Sequence, residues 1–413
     1  MSEKRLKVFI SAYACEPDKG SEPGIGWNVV NELAKYHEVH VLTRANNRPP
    51  IEAALAGKPA VPHFHYYDLP KWLSFWKKKR RGYHLYYYLW QYGAFFRYRN
   101  FVNSQGFDIV QHLTFANFAM PSLFMRCRPL TVWGPIGRTS TPRAVRNALP
   151  WRIRLKEAMR QIAMWLMCRL EPARIFTPRC ADRIIECGFP DGESGFPKKW
   201  RHKIVGHPQT GINAEDPEYR VKRSRDADGQ IRLLICSEFL HWKGVTFAAE
   251  VYGRIASTRD DVELLVYGSG PEKTAMRKIF RRHGVEESVF WKGFVGKKEL
   301  MRAMADADIL LYPSYHHGLA TAILQAMYIG LPIATIAGDP VAQCVAEAGG
   351  MVADGSNMDE ILDDLTEKTL QLIDSADLRR EIGARSRELV LARYEWKIMT
   401  AALAKLLSDF KAA

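Results

Sequence analysis

The stretch Tyr312-Pro-Ser-Tyr-His-His-Gly-Leu-Ala-Thr-Ala-Ile-Leu-Gln-Ala-Met-Tyr-Ile-Gly-Leu-Pro332 decides how this chain folds. Tyr312 closes an apolar run from Ile309 that has the length of a buried strand. Gly318 allows a tight loop, and a helix carrying Gln325 follows. Gly330-Leu-Pro332 stops that helix and turns the chain into a second apolar run, Pro332–Ile336. Strand, loop, helix and strand in that order make one step of a parallel α/β sheet.

The same order recurs on either side. Arg232–Ser237, Val262–Tyr267 and Val289–Trp291 read as earlier strands of the same series, separated by helical segments. A first series begins at the N-terminus. Leu6–Ala12 is a strand, a Gly/Pro-rich loop follows, a helix runs from about Trp27 to Tyr36, and Val39–Thr43 is the next strand. Asp108–Leu113 and Leu130–Pro135 continue it. Ile204–Asn213 is a turn-rich crossing between the two series. The expected architecture is α/β with two Rossmann-like domains. Residues 1–208, completed by a C-terminal helix at 394–413, form the first, and 209–393 the second.

At 413 residues the chain has room for two full cores. Its seven cysteines are scattered and form no C-x-x-C pair, which argues against a disulfide framework or a zinc site built on thiolates. The N-terminal apolar run reads as a strand rather than a signal peptide. No window holds the roughly 20 apolar residues that a spanning helix needs. Residues 1–205 hold 33 Lys+Arg against 15 Asp+Glu, a net of +18, while the remainder is net −4. A one-sided field of that kind points to an anionic partner.

Basic and aromatic residues are interleaved in the first half. Lys77, Lys78, Lys79, Arg80 and Arg81 form a basic run. Tyr83–Phe101 then holds ten aromatics in nineteen residues, Trp90 among them. Farther on, Trp151–Leu170 sets Arg152, Arg154, Lys156, Arg160 and Arg169 among Ile153, Trp165 and other apolar side chains. Such segments suit a surface lying in a lipid headgroup layer. An aromatic core helix beside a solvated charged face is the plainer reading. No RNA- or DNA-binding motif accompanies the basic run, so nucleic acid is not an expected partner.

Several residues carry candidate chemistry. Gly24 and Gly26 lie in Gly20-Ser-Glu-Pro-Gly-Ile-Gly-Trp27, a loop that offers backbone N–H groups and a helix N-terminus to an anion. It is not the dinucleotide fingerprint, which argues against a nicotinamide enzyme. His112 ends a strand, where ligands of open α/β sheets bind. Lys243 follows a strand and is next to Gly244, so it can reach a diphosphate as a point charge. Gly268 and Gly270 end another strand and permit close approach to a ligand. Ser314 and Gly318 precede the helix of Gln325, whose first amides can hold a phosphate.

In order and spacing, Gly20–Trp27, Asp108–His112, Trp133-Gly-Pro135, Trp242-Lys-Gly244, Gly268-Ser-Gly-Pro271, Ala307-Asp308, Pro313-Ser314 and Leu324–Met327 with Gly330-Leu-Pro332 resemble the retaining glycosyltransferases of family 4. That resemblance covers nearly the whole chain. It implies the GT-B fold, two Rossmann-like domains facing a central cleft. It also implies a UDP- or GDP-linked sugar donor held mostly by the second domain, an acceptor on the first, and no metal or other cofactor.

The chain departs from the family at three donor-site positions. His317 and Gln325 stand where the family has an acid, seven residues and a glutamate; Glu238 stands where it has an arginine. Gln325 can still bond a ribose diol. His317 cannot supply a fixed negative charge, and Glu238 would repel a diphosphate if it pointed inward. The expected function is transfer of a sugar, with retention, to a membrane-held polyprenyl-diphosphate-type acceptor in polysaccharide assembly. His112 and His317 are the expected catalytic groups. The expected location is cytoplasmic, peripheral at the inner face of the plasma membrane. The competing reading is an inactive GT-B protein that serves as a partner of another glycosyltransferase, a scaffold or a glycan-binding module.

Overall fold

The computed structural model describes residues 5–58, 61–77, 82–115, 120, 122–137, 145, 151, 153–155, 158–159, 162, 177–187, 198–219, 221, 223, 229–315, 320–338 and 340–413. The chain divides into two compact units. One comprises Met1–Arg138, Glu157–Thr210 and Trp396–Ala413, the other Thr139–Lys156 and Gly211–Glu395. Residues 139–156 thus depart from the expected assignment to the first unit: Val145 is buried in the second unit's core and Ile153 packs against it.

The first unit is a seven-stranded parallel sheet. Its strands are β1 (Lys7–Ala12), β2 (Glu38–Thr43), β3 (His63–Tyr66), β4 (Ile109–Thr114), β5 (Leu130–Ile136), β6 (Arg183–Glu186) and β7 (Ile204–Gly206). They lie in the order β3-β2-β1-β4-β5-β6-β7. Every residue of β4 is buried, and five of the six in β1, as befits strands covered on both faces. Helix α1 spans Ser21–Leu33 and starts about six residues before the expected position. A C-terminal helix, Trp396–Ala412, packs on α1 through Trp396, Met399, Leu403, Leu407 and Phe410, which recur at helical spacing along one face.

The other face of this sheet is covered by aromatics. Short helices α2 (Arg48–Leu55) and α3 (Lys71–Ser74) precede the long α4 (Tyr83–Ser104). Tyr86, Tyr87, Trp90 and Ala94 are buried. Trp90 is fully enclosed, stacks edge-on against Tyr13 at 5.1 Å, and donates from Nε1 to the Tyr67 carbonyl at 2.8 Å. This overturns Trp90 as a membrane or acceptor contact: its indole is core, with its one polar atom satisfied internally.

The second unit is a six-stranded parallel sheet. It alternates β8 (Ile231–Cys236), α5 (Val245–Ala256), β9 (Val262–Tyr267), α6 (Lys273–His283), β10 (Val289–Gly293), α7 (Lys297–Ala305), β11 (Ile309–Leu311), α8 (Thr321–Ile329), β12 (Ile333–Ile336), α9 (Pro340–Glu347) and β13 (Met351–Ala353). Helices α10 (Met358–Asp374) and α11 (Ala376–Arg393) close it. The strand order is β10-β9-β8-β11-β12-β13. Ile323 to Ile329 of α8 are all buried, as expected of a helix that is apolar all round.

Candidate functional site

In an open parallel sheet, successive connections run to opposite sides of one strand pair, and ligands bind beyond the carboxyl ends of those strands. The strand orders put this switch point between β1 and β4 in the first unit and between β8 and β11 in the second. Lys243, Gly268, Gly270 and Ser314 lie near the second of these places and Gly24, Gly26 and His112 near the first.

In the second unit, the ends of β8 and β9 are locked together. The Phe239 amide donates to the Ser269 carbonyl at 2.9 Å, and the Glu272 amide to the Phe239 carbonyl at 3.1 Å. Gly268 has φ +131°, and a Cβ there would lie 1.9 Å from the Ser237 carbonyl oxygen; at Gly270 it would lie 2.6 Å from the Phe239 carbonyl oxygen. Only glycine fits this turn. Between its two buried neighbours-in-turn, Cys236 and Phe239, the side chain of Glu238 is exposed. Lys243 sits in a short 3-10 turn, His241–Lys243. Its Nζ donates to the Tyr312 hydroxyl at 3.1 Å, so one cation bridges the residues that follow β8 and β11 across the switch point. Ser314 is buried, with its hydroxyl donating to the Trp242 carbonyl at 3.2 Å, which ties the two loops together. Gln325 is buried and donates from Nε2 to the Tyr219 hydroxyl at 3.2 Å. His317 and Gly318 lie outside the described residues.

In the first unit, Gly24 and Gly26 stand inside α1 rather than in a loop before it. A Cβ at Gly24 would meet the Lys19 carbonyl oxygen at 2.1 Å, and one at Gly26 the Ala14 carbonyl oxygen at 2.2 Å. These glycines let the first turns of α1 press against the chain leaving β1, so their role is close packing and not an open anion loop.

His112 is fully buried, and both ring nitrogens are engaged. Nε2 lies 3.1 Å from the Thr114 carbonyl and 3.0 Å from the Tyr87 hydroxyl; Nδ1 lies 2.6 Å from the Ser122 hydroxyl. A carbonyl only accepts, so Nε2 carries the proton and Ser122 donates to Nδ1. Burial lowers the His112 pKa to about 4, against the Thr114 bond that favours the cation. The imidazole is therefore neutral near pH 7 and spent on bracing the β4 end. This departs from its expected role as a catalytic group.

A residue the sequence reading passed over is more telling. Glu22, in the first turn of α1, accepts from the Phe115 amide at 3.1 Å and from Gln209 Nε2 at 3.2 Å. It keeps a partly exposed edge. Desolvation raises its carboxyl pKa above the ordinary value, and those two hydrogen bonds oppose the rise. Ser21 and Phe115 both adopt left-handed backbone, φ +55° and +54°. That conformation is costly for a bulky residue and concentrates at functional sites. The β1–β4 register also shifts between Ser11 and Ala12. Strain, a bulge and a carboxyl with neutral donors meet at the switch point.

Besides Trp90, seven basic residues were expected to meet a membrane or acceptor. Lys77 is half-buried, its Nζ 3.8 Å from the centre of the Tyr86 ring, and Arg154 is exposed. Lys78, Lys79, Arg80, Arg81 and Arg152 lie outside the described residues. Next to Lys77 are two exposed aromatics not foreseen, Trp72 and Phe75, 71% and 77% accessible. Trp151, Leu155, Met159 and Ile162 are each more than half exposed and recur at spacings of four, four and three. Among the described residues, no helix is long and apolar enough to cross a membrane.

Comparison with known proteins bears on this geometry. Residues 218–389 match the family described as glycosyl transferases group 1. A GDP-mannose-dependent monoacylated alpha-(1-6)-phosphatidylinositol monomannoside mannosyltransferase of Corynebacterium glutamicum is 27% identical over 223 residues, 50% of this chain and 57% of that protein. A GDP-mannose-dependent alpha-(1-6)-phosphatidylinositol monomannoside mannosyltransferase of Mycobacterium tuberculosis is 29% identical over 208 residues, 48% and 53% of the two chains. The chain thus spans about half the length of these curated relatives. Sucrose-phosphate synthase of Thermosynechococcus elongatus superposes with a TM-score of 0.66 at 16% identity, covering 99% of this chain and 100% of that one. HepE of Anabaena, solved in complex with UDP and glucose, gives 0.60 at 13% identity over 98% and 100%. These structural likenesses show the fold, the two-Rossmann GT-B architecture.

Proposed function

We propose that this chain, whose residues 218–389 match the glycosyl transferases of group 1, moves a sugar from a UDP- or GDP-linked donor to a lipid-linked glycan acceptor with retention at the anomeric carbon. The observation that carries this reading is the Lys243–Tyr312 bridge across the β8/β11 switch point, beside the Gly268–Gly270 turn. Lys243 supplies positive charge to the donor diphosphate where other enzymes use a metal. The bond from the anomeric carbon to the phosphate oxygen breaks, and the nucleoside diphosphate leaves. The acceptor oxygen bonds the same carbon on the same face, and its proton passes to the departing phosphate oxygen. Glu22, with its raised pKa, holds the acceptor hydroxyl, and His112 braces the loop that carries Phe115.

Calorimetry with UDP, GDP and their sugars tests the donor half. Saturable binding is expected, weakened by roughly 10–100-fold in Lys243→Ala, the range for losing a charge-assisted hydrogen bond. If none of these ligands binds, the inactive partner reading takes over. The engagement of Gln325 by Tyr219 and the presence of Glu238 favour that second reading, since both remove contacts a nucleotide-sugar would use.

For the acceptor side, we propose peripheral attachment to an anionic membrane, at the inner face of the plasma membrane. The mannosyltransferases named above act on phosphatidylinositol mannosides, which are lipids. Exposed Trp72 and Phe75 beside a basic run supply apolar insertion and charge together. The protein is expected to sediment with phosphatidylglycerol vesicles, more weakly as salt rises. Trp72→Ser with Phe75→Ser should reduce the bound fraction several-fold. Equal binding by that variant would rule out these side chains as the anchor.

A further inference from the structure

The N-terminal edge of the first sheet carries a side-chain cluster that the proposed transfer does not use. Glu38 and His40 lie on β2, His63 and His65 on β3, and His40 pairs with His63 in the parallel register. One ligand atom each from Glu38, His40 and His63 lies within 4.8 Å of the others. Among the described residues no other trio of His, Cys, Asp or Glu comes as close.

One of these distances already matches a coordination shell. His40 Nε2 is 3.1 Å from Glu38 Oε1. Two ligands of a tetrahedral Zn2+ ion, with bonds of about 2.0–2.1 Å, stand about 3.3 Å apart. On its far side, His40 Nδ1 is 3.1 Å from His65 Nε2. A ligating histidine nearly always gives its other N–H to a neighbour, which fixes ring and tautomer. Here His65 can accept that proton, and its own ring is held edge-on against Phe101 at 5.0 Å. His40 then turns a lone pair toward Glu38. An ionised carboxylate facing a lone pair is unfavourable unless a cation lies between them. Without an ion the same atoms form a plain hydrogen-bonded chain, in which His40 donates to Glu38. Lys7 Nζ, 3.5 Å from Glu38 Oε1, is the cation already at hand, and a divalent ion would compete with it.

We propose that Glu38, His40 and His63 bind one divalent transition-metal ion, best suited to Zn2+ by its mixed imidazole and carboxylate donors, with His65 orienting His40 from outside the shell. Solvent fills the fourth position, since Glu38 and His63 are exposed. The site lies where β2 and β3 begin, at the opposite end of the sheet from the switch point. Its role is therefore to fasten the edge strand β3 to β2, and the transfer chemistry does not pass through it. Edge strands gain most from such a clasp, because one of their sides has no ladder.

The test uses the full chain, stripped with a chelator and titrated with Zn2+ by calorimetry, with Co2+ as an optical probe. One Zn2+ per chain, a four-coordinate Co2+ spectrum and a melting temperature raised by Zn2+ are expected. His63→Ala and Glu38→Gln should each weaken binding at least tenfold. Both side chains are exposed, so both variants should fold; if circular dichroism shows one misfolded, the other decides. His65→Ala should keep one site per chain with affinity lowered about 10–100-fold. Unchanged affinity in His63→Ala and Glu38→Gln, or no saturable Zn2+ binding by the wild-type chain, would overturn the proposal.

Discussion

Gly268→Ala is expected to remove nucleotide binding and to cost on the order of 2–4 kcal/mol of stability, more than an alanine at an ordinary turn glycine. The added Cβ would sit 1.9 Å from the Ser237 carbonyl oxygen and 3.0 Å from the Phe239 ring. The first of these atoms is backbone, so no rotamer change relieves the clash. The β8 and β9 ends must part, and with them the contact of Phe239 with Ser269. Phe239 is fully buried, so the strain reaches the core of the second unit. Gly57→Ala is the control. Gly57 also has positive φ, +76°, but nothing lies within 4 Å of its Cβ position. It should lose only the conformational term, roughly 1–2 kcal/mol. Urea unfolding of both variants, with calorimetric titration of UDP and GDP, separates clash from conformation. A Gly268→Ala protein that unfolds at the wild-type urea midpoint would show that the β8–β9 turn is not tightly held.

What the sequence reveals of this protein follows from how locally each feature is encoded. Strands β1, β4, β8 and β9 are apolar runs because parallel strands are covered on both faces, and they are read almost to the residue. Strand β3 escapes notice because His63-Phe-His-Tyr66 is half histidine and lies at the sheet edge. The start of α1 is misread because glycine and proline usually mark loops. Here proline takes an early helical position, and the two glycines answer carbonyl oxygens of Ala14 and Lys19, which local pattern cannot show. The aromatic content of α4 is plain in the sequence, but its buried face is not. Tyrosine serves core and surface alike, and only the contacts with Tyr13 and Tyr67 reveal that Trp90 points inward.

The candidate residues of the two units differ in the same way. Lys243, Gly268 and Gly270 follow strands of their own series, so their place at a strand end is legible. Glu22 is legible only in the fold, because its partners Phe115 and Gln209 are 93 and 187 residues away. The departures at Glu238 and Gln325 also take on definite form. Glu238 is exposed on the turn and Gln325 is engaged with Tyr219, so the proposed donor site rests on Lys243 and on backbone.

Glu22→Gln is expected to lower transfer by about 100-fold or more while leaving the fold intact and somewhat more stable at neutral pH. The stability sign follows from linkage. Burial raises the folded-state pKa of Glu22 above its unfolded value, so the folded protein holds the proton more tightly. The penalty of ionising it grows as pH rises from the unfolded pKa through the folded one, and persists in full above that. Glutamine never pays it, and its carboxamide oxygen can still accept from the Phe115 amide. A carboxylate kept only for structure would behave oppositely, and its replacement would weaken the loop that carries Phe115. Urea unfolding at pH 4 and pH 8 reads the first half of this expectation: the gain over wild type should appear at pH 8 and shrink at pH 4. The second half needs turnover with a lipid-linked acceptor, beside nucleotide binding measured alone. Loss of transfer with unchanged UDP or GDP affinity would assign Glu22 to the acceptor. A variant that is both less stable at pH 8 and fully active would leave Glu22 as a loop anchor and nothing more.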